Sequence, residues 1–148
     1  MGLDASGGKL NHKYEYEFEN QEGEKVKHSY IGVGHFEWRK HARLQEFMTR
    51  LYMKRYRIKN KWYDRGDGWY PIEFGAYNRI RLKEEDIDKL EEAIKDDYEE
   101  YFCDGGYLWG HQRQETYMNY YREQDLEFVE YARKRLKDNK RVYYSCSW

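Results

Sequence analysis

Polar and aromatic residues alternate strictly along Lys13-Tyr14-Glu15-Tyr16-Glu17-Phe18-Glu19. Tyr14, Tyr16 and Phe18 fall on one face and the charges on the other, the signature of a half-buried strand. Asn20-Gln21-Glu22-Gly23-Glu24 follows as a turn, with Gly23 available for a positive φ. A second strand over 25–33 completes a hairpin. From about Phe36 the period changes. Leu44, Phe47, Met48, Leu51 and Tyr52 recur at helical spacing with basic residues between them, which predicts a helix running to about Tyr56.

Residues 60–75 carry Asp67-Gly68 and Pro71 and read as a loop, followed by a short strand over 76–82. A helix over 83–97 turns Ile87, Leu90, Ala93 and Ile94 inward and opens on Glu84, Glu85 and Asp86, as the helix dipole favours. Residues 101–110 are irregular or a short strand, punctuated by Gly105-Gly106. A third helix over 120–137 carries Leu126, Val129, Ala132 and Leu136 on its inner stripe. The chain closes on a strand over 141–148, with Val142, Tyr144, Cys146 and Trp148 on one face. Strands at both ends and helices between them predict an α+β fold, a small mainly antiparallel sheet with about three helices packed on one face. No internal repeat or low-complexity tract is present.

Composition sharpens this outline. The 148 residues suffice for one core, so 1–148 is expected to be a single domain. Charged residues make up 37% and mean hydropathy is −1.26, values typical of disorder. The 5 Trp, 17 Tyr and 6 Phe oppose that reading, because each buries a large area. No run of 18 apolar residues predicts a membrane span, and residues 1–8 lack the apolar region of a secretory signal. Met1-Gly2-Leu3-Asp4-Ala5-Ser6 matches a myristoylation pattern, but without a nearby polybasic stretch it makes a poor anchor. Cys103 and Cys146 lack paired-ligand spacing and fit a reducing cytoplasm, although spacing alone leaves a bridge between them open.

The net charge of −1 conceals two opposed stretches. Residues 37–61 hold nine Lys or Arg against Glu37 and Glu46, interleaved with Trp38, Phe47, Tyr52 and Tyr56. Residues 84–104 hold eleven acids against Lys89 and Lys95. One account is a solvated outer face, or pairing of the basic helix with the acidic one. A second is a discrete anionic ligand or an acidic protein. A nucleic acid is a third, disfavoured by a pI near 6.5.

The opening Gly2-Leu3-Asp4, the run Glu37-Trp38-Arg39-Lys40, the unit over 82–94, the segment Gly106-Tyr107-Leu108-Trp109-Gly110 and the ending Tyr143-Tyr144-Ser145-Cys146-Ser147-Trp148 resemble a family of small phage and prophage proteins. Its members begin Met-Gly-Leu-Asp, enter a helix at Trp-Arg-Lys and end on a Tyr-Tyr-x-Ser-Ser-Trp strand. The family continues Met-Tyr-Leu after its first Asp. Here Ala5-Ser6-Gly7-Gly8 stands instead, which predicts a first strand that begins later. The resemblance implies a phage origin and an accessory role in the host cytoplasm, without a mechanism.

Candidate chemistry concentrates at the predicted helix entry. Gly32-Val33-Gly34 before a helix N-terminus would let an anion approach backbone amides, with Arg39, Lys40 and Arg43 adding charge-assisted bonds. Glu37 stands where a third glycine of the dinucleotide pattern would be, and a plain bend is the competing account. Asp4, His35, Trp38, Arg39, Lys40, Arg43 and Trp109 are the candidate ligand-binding residues, with Trp38 and Trp109 stacking on or walling the ligand. Trp109, His111, Tyr117, Tyr120 and Tyr121, with Arg113 and Arg122, are either a second ring-binding cluster or core. His35 and His41, six apart, fall on opposite sides of a helix and predict no shared metal. Asp64-Arg65-Gly66-Asp67-Gly68 resembles half a calcium loop, but Gly66 and Gly68 stand where oxygen side chains are needed and the closing Glu is absent, so it reads as a turn. No catalytic residue and no cofactor are indicated.

The expected function is a non-enzymatic binding module that sequesters a small anionic, nucleotide-like ligand or binds a host protein, with self-association plausible. The alternatives are a small nucleotide-processing enzyme using the same cleft and a single-stranded nucleic-acid binder working through the basic helix.

Overall fold

The computed structural model describes residues 4–56, 62–64, 69–71, 79–101 and 114–147. A four-stranded antiparallel sheet in the order β2-β1-β6-β5 carries the fold. Its strands are β1 (Asp4–Glu19), β2 (Lys25–Arg39), β5 (Arg79–Leu82) and β6 (Val142–Ser147). Three helices, α1 (Ala42–Arg55), α2 (Glu84–Lys95) and α3 (Gln114–Lys137), complete the α+β architecture the periodicities predict. Between α1 and β5, where a loop was expected, β3 (Trp62–Asp64) and β4 (Trp69–Pro71) pair as a small antiparallel sheet. The predicted turn at Asp67-Gly68 and the segment 102–110 lie outside the described residues.

The first two strands are longer than the alternation suggested. β1 starts at Asp4, not beyond Gly8, and β2 runs through Phe36 and Trp38 to Arg39, where a helix was predicted. Both corrections have one cause. A Cβ on Gly7 would stand 2.8 Å from Phe128 Cε1 and 2.9 Å from the Trp38 ring, so the missing side chain makes room for aromatic packing. Gly8, at φ +140°, is pressed against the Gly34 carbonyl. The glycines therefore mark a close approach inside a strand, not an interruption. Gly32-Val33-Gly34 lies within β2, so no helix N-terminus opens beside it. The chain turns only at Lys40, at φ 58°, and His41 caps α1, its Nδ1 accepting the Leu44 N–H at 3.5 Å.

β6 pairs with β1 over Asp4–Gly8 alone, whereas β2 follows β1 along its whole length. The base of the hairpin is thus built into the sheet, and its outer part is a two-stranded arm. A bulge between Lys9 and His12, with Asn11 at φ 59°, separates the two.

The core lies between the sheet and the helices. Trp38, Ala5 and Cys146 stand opposite one another across three strands, and Gly7, Tyr144 and Ile80 form the next row. Phe128, Val129 and Ala132 of α3, Ile87, Leu90 and Ile94 of α2, and Leu44, Phe47 and Met48 of α1 are buried with them. Tyr98, Tyr144 and Phe128 are each 0% exposed, so the aromatics supply the core that aliphatics do not. The basic and acidic stretches also meet. Arg43 donates to the Asp97 carbonyl, Arg50 to the Glu100 carbonyl, and Arg55 bonds the Asp86 carboxylate. Among the described residues no helix is long and apolar enough to cross a membrane.

Candidate functional site

Strand alternation divides the sheet's edge into two chemically different faces. Residues opposite in an antiparallel pair point to the same side. Trp38, Ala5 and Cys146 face the helices, so the next residues face away: Arg39, Asp4 and Ser147 in one row, Glu37, Ser6 and Ser145 in the other. Both rows line a cleft of about 700 Å³. Tyr14 and Tyr30 of the arm also line it, their rings stacked at 4.9 Å and 15°, and Tyr120 of α3 contributes to the wall. The Tyr14 hydroxyl donates to the Val33 carbonyl at 2.6 Å. Burial, then the charge of Glu37, pushes its pKa up to about 12, so it stays a protonated donor.

Beneath the cleft sits a carboxylate that the periodicity analysis did not single out. Asp125 of α3 is 2% exposed. Its Oδ1 accepts the Trp38 indole N–H at 2.7 Å, and its Oδ2 accepts the Tyr98 hydroxyl at 2.8 Å. His41 Nε2 lies 2.7 Å from the same Oδ2. Because Nδ1 of that ring accepts a backbone N–H, Nε2 carries the proton and donates. Burial, with the charge of Asp125 second, raises the Tyr98 pKa well above its ordinary value. Tyr121 stacks on His41 at 5.0 Å and 9°, and its hydroxyl both accepts the Arg39 N–H at 3.0 Å and donates to the Arg39 carbonyl at 2.7 Å. With three donors satisfied in a sealed site, Asp125 is a brace that fixes the end of β2 against α3. It was legible in one respect: an acid occupies a position between Tyr121 and Phe128 where the helical stripe calls for an apolar side chain.

The predicted site residues separate. Asp4, Trp38 and Arg39 line the same cleft. Trp38 is 2% exposed with its N–H committed to Asp125, so it offers a ligand almost no ring face; Tyr14 and Tyr30 take the wall position assigned to it. His35 packs on Phe36 at 4.5 Å and against Tyr131 at 5.0 Å, and does not line the cleft. Lys40 occupies the left-handed turn before α1. Arg43 borders a separate surface hollow with Lys95, Asp96, Asp97 and Glu99. Trp109 lies outside the described residues. The expected convergence of Gly32-Val33-Gly34 with Arg39, Lys40 and Arg43 at a helix entry does not form: the glycines lie within β2, Arg39 lines the sheet-face cleft, Lys40 sits in the turn and Arg43 borders a separate hollow. Glu37, Ser6, Ser145 and Ser147 join the cleft through strand register, which one sequence does not reveal. Among the described residues no three His, Cys, Asp or Glu side chains gather as a metal site.

No protein-family model matches the chain, and neither curated proteins nor solved structures yield a match.

Proposed function

We propose that this protein is a binding module whose cleft takes a small, ring-bearing anionic ligand of nucleotide type. In the setting the phage resemblance implies, it would sequester that ligand in the host cytoplasm as an accessory protein. The observation that carries this reading is the Asp4–Arg39 row beside the stacked Tyr14 and Tyr30 in one cleft of about 700 Å³. Arg39 is suited to a phosphate or carboxylate. Asp4 and Glu37 accept from ribose hydroxyls or exocyclic amines, the serine hydroxyls bond either partner, and the tyrosines give a ring a flat wall. Binding through the basic helix would need cations that α1 instead spends on Asp97, Glu100 and Asp86.

Native mass spectrometry of protein purified from cells, followed by calorimetry with a panel of nucleoside mono-, di- and triphosphates, tests the reading. The wild-type chain is expected to bind at least one of them, and Arg39→Ala and Asp4→Asn each to weaken binding about tenfold or more, ~1.4 kcal/mol. A ligand-free protein with no response to the panel ends the proposal. Product formation from the panel replaces it with a nucleotide-processing enzyme working in the same cleft.

A further inference from the structure

The two rows of the cleft form a patch three strands wide, and its charges are crowded into one corner. Arg39 stands directly opposite Asp4, a cross-strand pair with Cβ atoms ~5 Å apart. Glu37 follows two residues away on the strand and face of Arg39, at a rise of ~7 Å. The remaining positions of the patch are Ser6, Ser145 and Ser147, which carry no charge. Among the described residues, Arg39, Asp4 and Glu37 are the charged side chains that line the cleft, so two carboxylates flank one guanidinium. The fold does not consume that guanidinium. Arg50 and Arg55 of α1 are engaged by Glu46 and Asp86. Tyr121 holds only the backbone of Arg39, whose side chain has no hydrogen-bond or ion-pair partner among the described residues. Glu37 is likewise held by its carbonyl, through Gln124, and its exposed carboxylate is left to act on the cleft. Its charge reaches the aromatic wall. After burial, it is the next cause that raises both the Tyr14 and the Tyr30 phenols above their ordinary pKa.

Resting on the reading that the cleft takes a nucleotide-type ligand, we infer that it selects for a single negative charge, taking a phosphodiester in preference to a phosphomonoester or a polyphosphate, and that Glu37 sets this preference. A phosphodiester brings one charge, which the Arg39 guanidinium meets with a charge-assisted bond. A phosphomonoester brings close to a second near neutral pH. No further lining cation among the described residues answers that charge, and a group bonded to Arg39 stands beside both carboxylates. The serine hydroxyls donate to uncharged ester oxygens as readily as to charged ones, so they offset no repulsion. A polyphosphate meets the same repulsion several times over. What resists a tyrosinate at Tyr14 and Tyr30 resists each added ligand charge in the same way.

Calorimetry at one fixed ionic strength, because salt screens such repulsion, compares the cyclic mononucleotide, the monophosphate and the triphosphate of each nucleoside. Kd is expected to rise in that order, by about tenfold or more from the first to the last. Glu37→Gln removes the charge and keeps a carbonyl acceptor. Its side chain is exposed and its backbone bond to Gln124 is untouched, so the circular dichroism spectrum and thermal midpoint are expected to stay as they are. The variant should tighten the triphosphate about fivefold or more and the cyclic ligand by less, compressing the series. It also separates charge from shape. A preference for the cyclic ligand that survives Glu37→Gln in full belongs to ring geometry and overturns the inference. So does a wild-type chain that binds the monophosphate or the triphosphate as tightly as the cyclic ligand. In both cases the nucleotide reading stands. A chain that binds none of the series ends that reading and this inference together.

Discussion

One hairpin contains two regions with opposite fates. At its base, Asp4–Gly8 of β1 lies between two strands, and Phe36 and Trp38 of β2 lie under α3, edge-on to Phe128 at 5.3 and 5.2 Å. In its arm, the same two strands pair only with each other among the described residues, and Tyr16, Phe18 and Tyr30 are each nearly half exposed. The alternation is cleaner in the arm, where every second residue from Tyr14 to Phe18 is aromatic, yet the burial is at the base. Alternation fixes which residues share a face. Whether a face is covered depends on a third strand and a helix that arrive from the far end of the chain.

The strongest way to break the base is to remove its buried acceptor. Asp125→Ala orphans the Trp38 and His41 ring N–H groups and the Tyr98 hydroxyl, each an unmade buried bond costing ~1–3 kcal/mol. Summed to several kcal/mol, that approaches the ~5–15 kcal/mol stability of a whole domain. Chemical denaturation is expected to show a chain largely unfolded or close to it. Asp125→Asn, which retains one carbonyl acceptor, should fall between the two. A midpoint unchanged in Asp125→Ala would mean that the node carries no stability.

This node also marks where the sequence stops being legible. The inner stripe of α2 could be read directly, because Ile87, Leu90, Ala93 and Ile94 repeat at the helical period and all are buried. The closing strand was equally readable from Val142, Tyr144 and Cys146. Asp125, Trp38, His41 and Tyr98 were not, since their partners lie 27 to 87 residues away and no local period connects them. The helix entry was misplaced for a related reason. Phe36 and Trp38 alternate as strand residues do, but Gly34 before them leaves too few side chains to display the period. Asp4 and Arg39 line one cleft, but they stand far apart in the sequence and only the register of β1 on β2 makes them neighbours.

A smaller perturbation reaches the same base through its packing. Gly7→Val drives a branched side chain into Phe128 and Trp38, and overpacking of this kind costs ~1–3 kcal/mol. Thermal unfolding is expected to shift downward by several degrees. Were Gly7 a flexible interruption, the same substitution would be neutral or stabilising.

The arm should answer differently. Replacing Tyr16 and Phe18 by Ser alters side chains that are nearly half exposed and whose ring contacts lie within the arm, so the loss is expected to stay below ~1 kcal/mol. The double variant is expected to unfold at nearly the wild-type midpoint, measured in parallel with Gly7→Val. A loss as large as that of the base variant would mean that the arm's aromatic face is covered in solution.

The smallest effect lies at the junction of the two regions. His35 packs between Phe36 and Tyr131 and faces His12 at 5.8 Å. Burial, then the neighbouring His12 and Lys9, holds its pKa below the usual histidine value. A histidine depressed in this way binds fewer protons folded than unfolded, so stability rises with pH through the window between the two pKa values. Below that window the imidazole must charge against its neighbours, and the junction loosens. An NMR titration should place the His35 midpoint below ~6.5, the ordinary histidine value. The midpoint should move back up in His12→Ala, which removes one repelling neighbour while leaving the burial in place. If it stays put, burial and Lys9 set it, and His12 at the first residue of the arm is electrostatically silent toward the base.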